Sequence, residues 1–462
     1  MYICNKRSLA LLLTISLFCC NGAFAAYPNV AEADVAEINK KITPLVESIP
    51  AQWRLTMKDD PTAMATVSWS TFLPDGEHVL YYGRRSSAGD LNDYENRVVC
   101  QRNGKYSNEV TKKMKRRRKN KQDQAHSKEE QQEEVEPEGN QPPKPTAYYH
   151  HARLSGLKPA TQYYLTMVSN GVASGEFHFY TAPADRNRLV FLHGGDSRTG
   201  IAARSQMNRL ISELVSVRPE ICALVHGGDY VSSGHSYEQW ERWLSQNELI
   251  TTDENRLVPI IPAKGNHDRG KLIGEIFDFE SDGEDDPIYY YDIQFGNHLS
   301  MVILDTNIAG TGAQEAFLTD ALARLRPKTR WLTAQYHRPL YPAVKTAPAH
   351  KGVFVPLFEN YDLDLALESD GHVIKRTVPI RNEQKDTTGV VYVGEGGLGV
   401  GQRQPKIDRW FINPEEGAYA GQGHHVMLIA ADVKMLTIET IGMDGRVLDE
   451  SVIQARDEYI QN

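Results

Sequence analysis

The segment LVFLHGGDSR, residues 189–198, ends a short apolar run in two glycines and a carboxylate. The same arrangement returns as ICALVHGGDY at residues 221–230. Each apolar run is typical of a buried strand, and each strand would end in a turn that carries Asp196 or Asp229. Open α/β sheets place their binding sites beyond the carboxyl ends of strands, so both aspartates are candidate site residues. The glycines let the backbone turn tightly and approach a ligand closely.

Apolar strands alternate with helical patterns throughout the part of the chain that follows Pro183. Strand-like runs recur at residues 257–261, 301–304 and 390–393, and helical apolar faces lie at 207–215 and 317–325. This alternation predicts a layered α/β domain over residues 185–462.

Residues 26–184 have a different rhythm, that of a small all-β sandwich. Strand-like runs lie at residues 64–71, 78–82, 147–153, 162–168 and 176–181. Leu157-Lys158-Pro159, followed by Tyr163, resembles the turn-and-tyrosine arrangement of fibronectin type III domains. Two domains are also what a chain of 462 residues leads us to expect.

A charged insertion interrupts the predicted sandwich at about residues 104–145. A basic run over residues 112–121 precedes an acidic run over 129–138, and such blocks cannot bury apolar surface. We expect the insertion to be disordered. Since the acidic half can neutralise the basic half and the net charge is −9, we expect no specific nucleic acid partner.

The first 25 residues have the organisation of a signal peptide. Lys6 and Arg7 precede the apolar run 9–20, and Ala23-Phe24-Ala25 is a small-x-small cleavage signal. The pattern predicts export to a periplasm or the medium, with cleavage near Ala25. We expect no transmembrane segment in the rest of the chain.

Three further polar motifs follow later strand-like or helical segments, and they contain Asn266 and His267, His337, and His372. Carboxylates, an amide oxygen and imidazoles suit zinc, manganese or iron, and we expect one or two such ions. A carboxylate bridging two ions lets both polarise a phosphate and activate a water molecule. Asp229 is the predicted bridge.

Taken in order, Gly-Asp, Gly-Gly-Asp, Gly-Asn-His-Asp, His-Arg-Pro-Leu-Tyr and Gly-His resemble the calcineurin-like metallophosphoesterases. The preceding fibronectin-like domain makes the chain similar to the purple acid phosphatases in particular. The resemblance implies an α/β four-layer sandwich after the N-terminal sandwich. It also implies that Asp196 binds a first metal, that Asp229 bridges, and that Asn266, His337 and His372 bind a second. His267 would assist the leaving group, with Asp268 orienting its imidazole.

The chain departs from the family pattern around the first metal. The family continues Gly-His-x-His, and its second histidine serves the first metal, whereas Ile374 stands two residues after His372. Ser232 replaces a tyrosine ligand, and Arg198 stands where many members have a histidine. Either other residues complete this site, or a cation such as Arg198 or Lys375 substitutes for the ion and binds substrate. The candidates for completing it are Glu368, Asp370, His193 and His226.

These motifs predict an enzyme that hydrolyses phosphate monoesters with metal-activated water. A phosphodiesterase is the nearest alternative, because both reactions use the same metal apparatus. A catalytically impaired, metal-containing binding protein is the alternative from another class, motivated by the altered first site. A small phosphate ester is the expected partner of either enzyme.

Overall fold

The computed structural model describes residues 27–72, 76–108, 146–184, 188–280 and 287–456. The predicted signal peptide lies outside these residues, as does the charged insertion from residue 109 onward. Among the helices in these ranges, none combines the length and the apolar character needed to cross a membrane.

The N-terminal part is an all-β sandwich, as the sequence predicts. One of its sheets contains β1 (Ala51–Thr56), β2 (Ala65–Thr71), β5 (Arg102–Lys105) and β6 (Tyr148–Leu154). The other contains β3 (His78–Gly83), β4 (Asn96–Val99), β7 (Gln162–Ser169), β8 (Val172–Ala173) and β9 (Phe177–Tyr180). The hydroxyl of Tyr163 accepts a hydrogen bond from the backbone N–H of Lys158, so this tyrosine fixes the turn that the sequence singled out.

The sequence places the start of the insertion too early. Gly104 and Lys105 belong to β5, where they pair with Tyr149 and Tyr148 of β6. The next residue, Tyr106, is buried. An aromatic side chain in the core requires an ordered backbone there, so ordered structure continues past the predicted boundary.

Two further sheets form the C-terminal part. The first contains β10 (Arg188–Gly194), β11 (Ile221–His226), β12 (Pro259–Pro262), β22 (His425–Asp432), β23 (Met435–Gly442) and β24 (Val447–Gln454). The second contains β13 (Tyr291–Phe295), β14 (Leu299–Ile303), β15 (Trp331–Gln335), β16 (Leu365–Glu368), β17 (Ile374–Arg376), β20 (Val391–Gly394) and β21 (Tyr419–Gly421). A separate hairpin pairs β18 (Ile380–Arg381) with β19 (Gln384–Lys385).

Helices cover the outer faces of these two sheets, which gives the expected four layers. The helices are α1 (Val35–Asn39), α2 (Ile201–Val217), α3 (Tyr237–Asn247), α4 (Leu272–Ile276), α5 (Ala313–Leu325) and α6 (Lys351–Asn360). Leu210 of α2 belongs to the same apolar cluster as Leu192 of β10, while Leu318 of α5 clusters with Val302 of β14. A third cluster contains Phe191 and Ile303, one from each sheet, and lies between the sheets.

The sandwich and the α/β part share one ten-stranded sheet. Strand β1 pairs in parallel with β12, with Leu55 opposite Pro259 and Thr56 opposite Ile260. Backbone hydrogen bonds therefore join the N-terminal sheet to the sheet that carries the site.

Parallel pairing brings the candidate site residues to one edge. Strands β10, β11 and β12 are mutually parallel, with Gly194 opposite His226 and His226 opposite Pro262. In the second sheet β15 and β16 are parallel. The carboxyl ends of parallel strands lie at the same sheet edge, so the loops after these five strands are neighbours.

Candidate metal centre

Four side chains from these loops form a tight cluster. Asp196, Asp229, His337 and Asp370 each offer one donor atom, and the four atoms all lie within 4.8 Å of one another. All four residues are buried. Buried carboxylates and an imidazole at this spacing suit a metal centre, because buried charge needs a partner of opposite sign.

The backbone that presents these groups is unusual. Asp196, Asp229, Asp370 and His372 all have left-handed backbone conformations, with φ of 58°, 58°, 68° and 60°. This region costs a non-glycine residue about 1–2 kcal/mol and is concentrated at functional sites. The sharp turn after each strand directs its side chain into the space between the two sheets.

Gly265 shows how closely the loops approach. A Cβ atom added there would lie 2.2 Å from Oδ1 of Asp229. Such a contact is far inside van der Waals distance, so no larger residue fits without displacing the carboxylate. Gly265 therefore permits the close approach of the loop after β12 to the loop of Asp229.

Buried donor atoms in the cluster have no hydrogen-bond partner among the described residues. They are Oδ1 of Asp196, Oδ2 of Asp229 and Nε2 of His337. Nδ1 of His337 lies 2.8 Å from the carbonyl oxygen of Gly227, to which it donates. Its Nε2 therefore faces the carboxylates, which is the orientation of a histidine placed for metal ligation. These residues fit a metal centre.

Neighbouring imidazoles keep the central carboxylate ionised. Burial by itself would raise the pKa of Asp229, but His337 and His267 outweigh that effect and lower the pKa to about 2. An ionised carboxylate is the form that binds a cation.

The structure places His372 beside Asp196. Its Nε2 lies 3.4 Å from Oδ1 of Asp196, whereas Nε2 of His337 lies 3.3 Å from Asp229 and 3.5 Å from Asp370. His372 therefore lies beside Asp196, and Asp370 is the residue beside His337. Ile374 is a fully buried residue of β17 and stands in no ligand position.

Asp370 is the site residue that sequence reasoning did not select, although it was one of the open candidates. The signal lies in the spacing: Asp370 and His372 are separated by one residue, as are the two histidines of Gly-His-x-His. Matching His372 to the second of those histidines, instead of the first, would have identified both residues.

Asn266 and His267 follow β12, and His267 lies beside Asp229. The backbone N–H of His267 donates to Oδ1 of Asp229 at 2.9 Å, and its Nε2 lies 4.0 Å from Oδ2. Nδ1 donates to the carbonyl of Ser232 at 2.8 Å. The His267 side chain is 36% exposed, so its Nε2 is available to a molecule from solvent beside the cluster.

Asp268 does not orient His267, contrary to the sequence prediction. Its carboxylate accepts backbone hydrogen bonds from Gly265, Asp229 and Tyr230 at 2.7 to 3.0 Å. The His267 ring is held by Ser232 instead. Asp268 therefore ties the β11 and β12 loops together, and it acts as a positioning residue.

Of the two predicted cations, the structure brings only Arg198 to the cluster. Nε of Arg198 lies 3.4 Å from Oδ2 of Asp229. Lys375 is fully buried between Glu368 and Glu395 and donates to the carbonyl of Tyr341, so it has no face open to substrate. A second cation, Lys345, also reaches the cluster, and its Nζ lies 2.5 Å from Oδ1 of Asp370. No motif in the sequence distinguishes Lys345.

Two of the remaining candidates, His193 and His226, lie outside the four-residue cluster. His193 contacts the carbonyls of Val225 and Glu368 through its two ring nitrogens, so it links neighbouring strands. The ring of His226 stacks on that of Tyr230 with centroids 4.1 Å apart. Tyr230 is fully buried in this aromatic layer and takes no part in the cluster.

Comparison with known proteins assigns both parts of the chain. Residues 50–181 match the family model of the purple acid phosphatase N-terminal domain. Residues 190–373 match that of the calcineurin-like phosphoesterases. The two matches support the fold order that the sequence predicts.

Individual relatives are distant. Purple acid phosphatase 15 of Arabidopsis thaliana is 25% identical over 294 residues, which are 54% of this chain and 53% of that protein. Phosphoenolpyruvate phosphatase of Allium cepa is 23% identical and covers 51% and 52%. The chain thus spans about half the length of the curated relatives it matches.

A solved structure has the same fold over most of the chain. The purple acid phosphatase from yellow lupin (Lupinus luteus) seeds superposes with a TM-score of 0.67 and 19% identity, and covers 90% of this chain and 76% of that one. At this identity the similarity demonstrates the fold alone.

Proposed function

The chain belongs to the calcineurin-like phosphoesterases and carries the N-terminal domain of the purple acid phosphatases; on this premise we propose that it hydrolyses phosphate monoesters with bound metal ions. The observation that carries the proposal is the cluster of Asp196, Asp229, His337 and Asp370, with unpartnered donor atoms directed into it.

The ligand roles follow from position. Asp229 lies at the centre and would bridge two ions, Asp196 and His372 would complete the first site, and His337 and Asp370 the second. Asn266, in the turn beside His267, would add an amide oxygen to the second. When bound, zinc, manganese or iron would supply positive charge at the phosphate and activate water.

His267 is the proposed general acid. Its Nδ1–H is held by Ser232, which leaves Nε2 directed toward the cluster. A proton on Nε2 would pass to the departing alkoxide oxygen as the ester bond breaks, which avoids releasing a strong base.

The charge around the cluster favours a monoester over a diester. Arg198 lies beside Asp229, and Lys345, whose side chain is 38% exposed, lies beside Asp370. A monoester phosphate carries up to two negative charges and a diester only one. The two flanking cations therefore attract a monoester phosphate more strongly than a diester phosphate.

The N-terminal pattern supports action outside the cytoplasm. Lys6 and Arg7, the apolar run 9–20 and Ala23-Phe24-Ala25 are the parts of a signal peptide. We expect the enzyme to be periplasmic or secreted.

The test compares p-nitrophenyl phosphate with bis-p-nitrophenyl phosphate, before and after removal of metal by a chelator. We expect faster turnover of the monoester, loss of turnover on chelation, and recovery when metal is returned. Turnover of the diester alone would instead favour the phosphodiesterase. Bound metal without turnover of either ester would favour the binding protein.

A matched pair of variants separates the site from the rest of the surface. Asn266→Ala should lose activity and metal together. Asn297→Ala alters an exposed side chain in a distant turn and should retain both.

A further inference from the structure

Asp370 gives the cluster an unusual balance of donors. Three of the four donor atoms that lie within 4.8 Å of one another are carboxylate oxygens, and one is the imidazole nitrogen of His337. The Asp370 side chain lies 3.5 Å from that nitrogen through Oδ1, and its backbone N–H donates to Oδ2 of Asp196. Asp370 is therefore held at the cluster through both its side chain and its backbone.

Oxygen-rich donor sets discriminate between metals. Carboxylate oxygens suit manganese and magnesium, whereas imidazoles suit zinc, copper and nickel. A site with one imidazole among carboxylates can bind either zinc or manganese, but its relative affinity shifts toward manganese, the harder ion. We propose that Asp370 is a ligand of the ion held by His337, and that its carboxylate raises the selectivity of this site for Mn²⁺ over Zn²⁺.

The charge added by Asp370 is compensated locally. A carboxylate brings a negative charge that would weaken the attraction of the centre for a phosphate anion. Lys345 stands 2.5 Å from it and returns one positive charge. The backbone of the lysine is held in place, because Arg409 donates to the carbonyl oxygen of Lys345 at 2.8 Å and also to those of Pro342 and Val344.

The loop that carries Lys345 is fixed from a second side. The backbone N–H of Ala343 donates to Oε1 of Glu395 at 2.7 Å. Lys375 pairs with that same oxygen at 2.9 Å. The buried charges behind the cluster thus hold the lysine loop against the loop of Asp370, so the pair of opposite charges is built into the fold.

The inference rests on the proposed function, and its test measures metal without substrate. Chelator-treated full-length protein is dialysed against equimolar MnCl₂ and ZnCl₂, and bound metals are measured by mass spectrometry. Asp370→His exchanges one oxygen donor for an imidazole. Because partners outside the ligand sphere already change metal affinity 10–100-fold, we expect the bound Mn²⁺:Zn²⁺ ratio to fall at least about tenfold. An unchanged ratio would overturn the proposal.

Two further variants keep the test decisive. Asp320→His makes the same exchange at a surface residue of α5 whose side chain is 79% exposed, and it should retain the wild-type ratio. Asp370→Asn preserves the shape if the histidine variant does not fold. It should weaken Mn²⁺ binding at least about tenfold, and wild-type affinity would contradict the ligand role.

The two proposals fail in different ways. Selectivity that depends on Asp370 without hydrolysis of any phosphate ester would leave this inference standing and remove the proposed function. Hydrolysis with a metal ratio that does not respond to Asp370→His would do the reverse.

Discussion

Nε2 of His372 lies 3.4 Å from Oδ1 of Asp196, whereas Nε2 of His337 lies 3.5 Å from Oδ1 of Asp370. In the proposed ligand arrangement, His372 supplies the histidine that the sequence analysis did not find for the first metal. The apolar residue Ile374, which appeared to replace a ligand, is an ordinary core residue of β17.

Loss of the His372 imidazole should empty one metal position. We expect His372→Ala to bind about one ion fewer per chain and to lose more than about 100-fold in kcat/KM, because a ligand contributes at least as much as its outer partners. Metal analysis and steady-state kinetics on p-nitrophenyl phosphate measure the two effects.

Ile374→Val is the control for that variant. It removes one methyl group from a core position and should cost about 1 kcal/mol of stability with wild-type metal content. Wild-type metal content in His372→Ala would contradict a ligand role for His372.

His267→Ala should affect substrates according to their leaving groups. General acid catalysis contributes about 100- to 10,000-fold, and it matters most when the departing oxygen is strongly basic. We therefore expect a large loss of kcat with an alkyl phosphate and a smaller loss with p-nitrophenyl phosphate. Equal losses on both would argue against proton donation and for a role in holding the phosphate.

Lys345→Met should weaken substrate binding more than turnover. The lysine is partly exposed beside the cluster, and a hydrogen bond to a charged group contributes about 1.5–3 kcal/mol, so KM should rise about tenfold or more. Lys345→Arg keeps the charge and should recover most of the affinity. Lys351→Met, which removes a lysine paired with Glu383 away from the cluster, should leave KM unchanged.

Lys375→Met should lower the stability of the folded protein and not affect substrate binding directly. The substitution leaves Glu368 and Glu395 buried without their cation, and breaking a buried pair costs about 3–5 kcal/mol. Urea denaturation of wild type and variant measures the loss. Unchanged stability with a raised KM would instead support the predicted role of Lys375 in substrate binding.

The sequence predicts the parts of this molecule that depend on local patterns. The strands before Asp196 and Asp229 are short apolar runs that end in glycine pairs, so strand, turn and carboxylate are all visible within ten residues. The family resemblance then supplies the order of the layers.

What the sequence does not predict depends on contacts between distant residues. Leu55 pairs with Pro259 across about 200 residues, and no local pattern indicates this union of the two sheets. Likewise, the sequence alone does not distinguish the role of Lys345 from that of Lys375. Only the fold places one beside Asp370 and the other between two buried glutamates.

The buried imidazole of His151 should make the protein less stable in acid. Its Nε2–H donates to the carbonyl of Glu275 and its Nδ1 contacts the Ser68 hydroxyl, so the neutral ring joins the sandwich to the α/β part. Burial, opposed by Asp278 and assisted by Arg54 and Arg102, lowers its pKa from 6.5 to about 3.

His151 takes up a proton near pH 6.5 in the unfolded chain but only near pH 3 in the folded protein. The stabilisation from its neutral ring is therefore complete above pH 6.5. It is lost as the pH falls, by about 1.4 kcal/mol per pH unit. Urea unfolding at about pH 7 and about pH 5 should show the difference, and His151→Gln should reduce it by about 2 kcal/mol. His350→Gln, which changes a partly exposed histidine, should leave this stability difference unchanged. The same pH dependence in all three proteins would show that His151 titrates normally in the folded state.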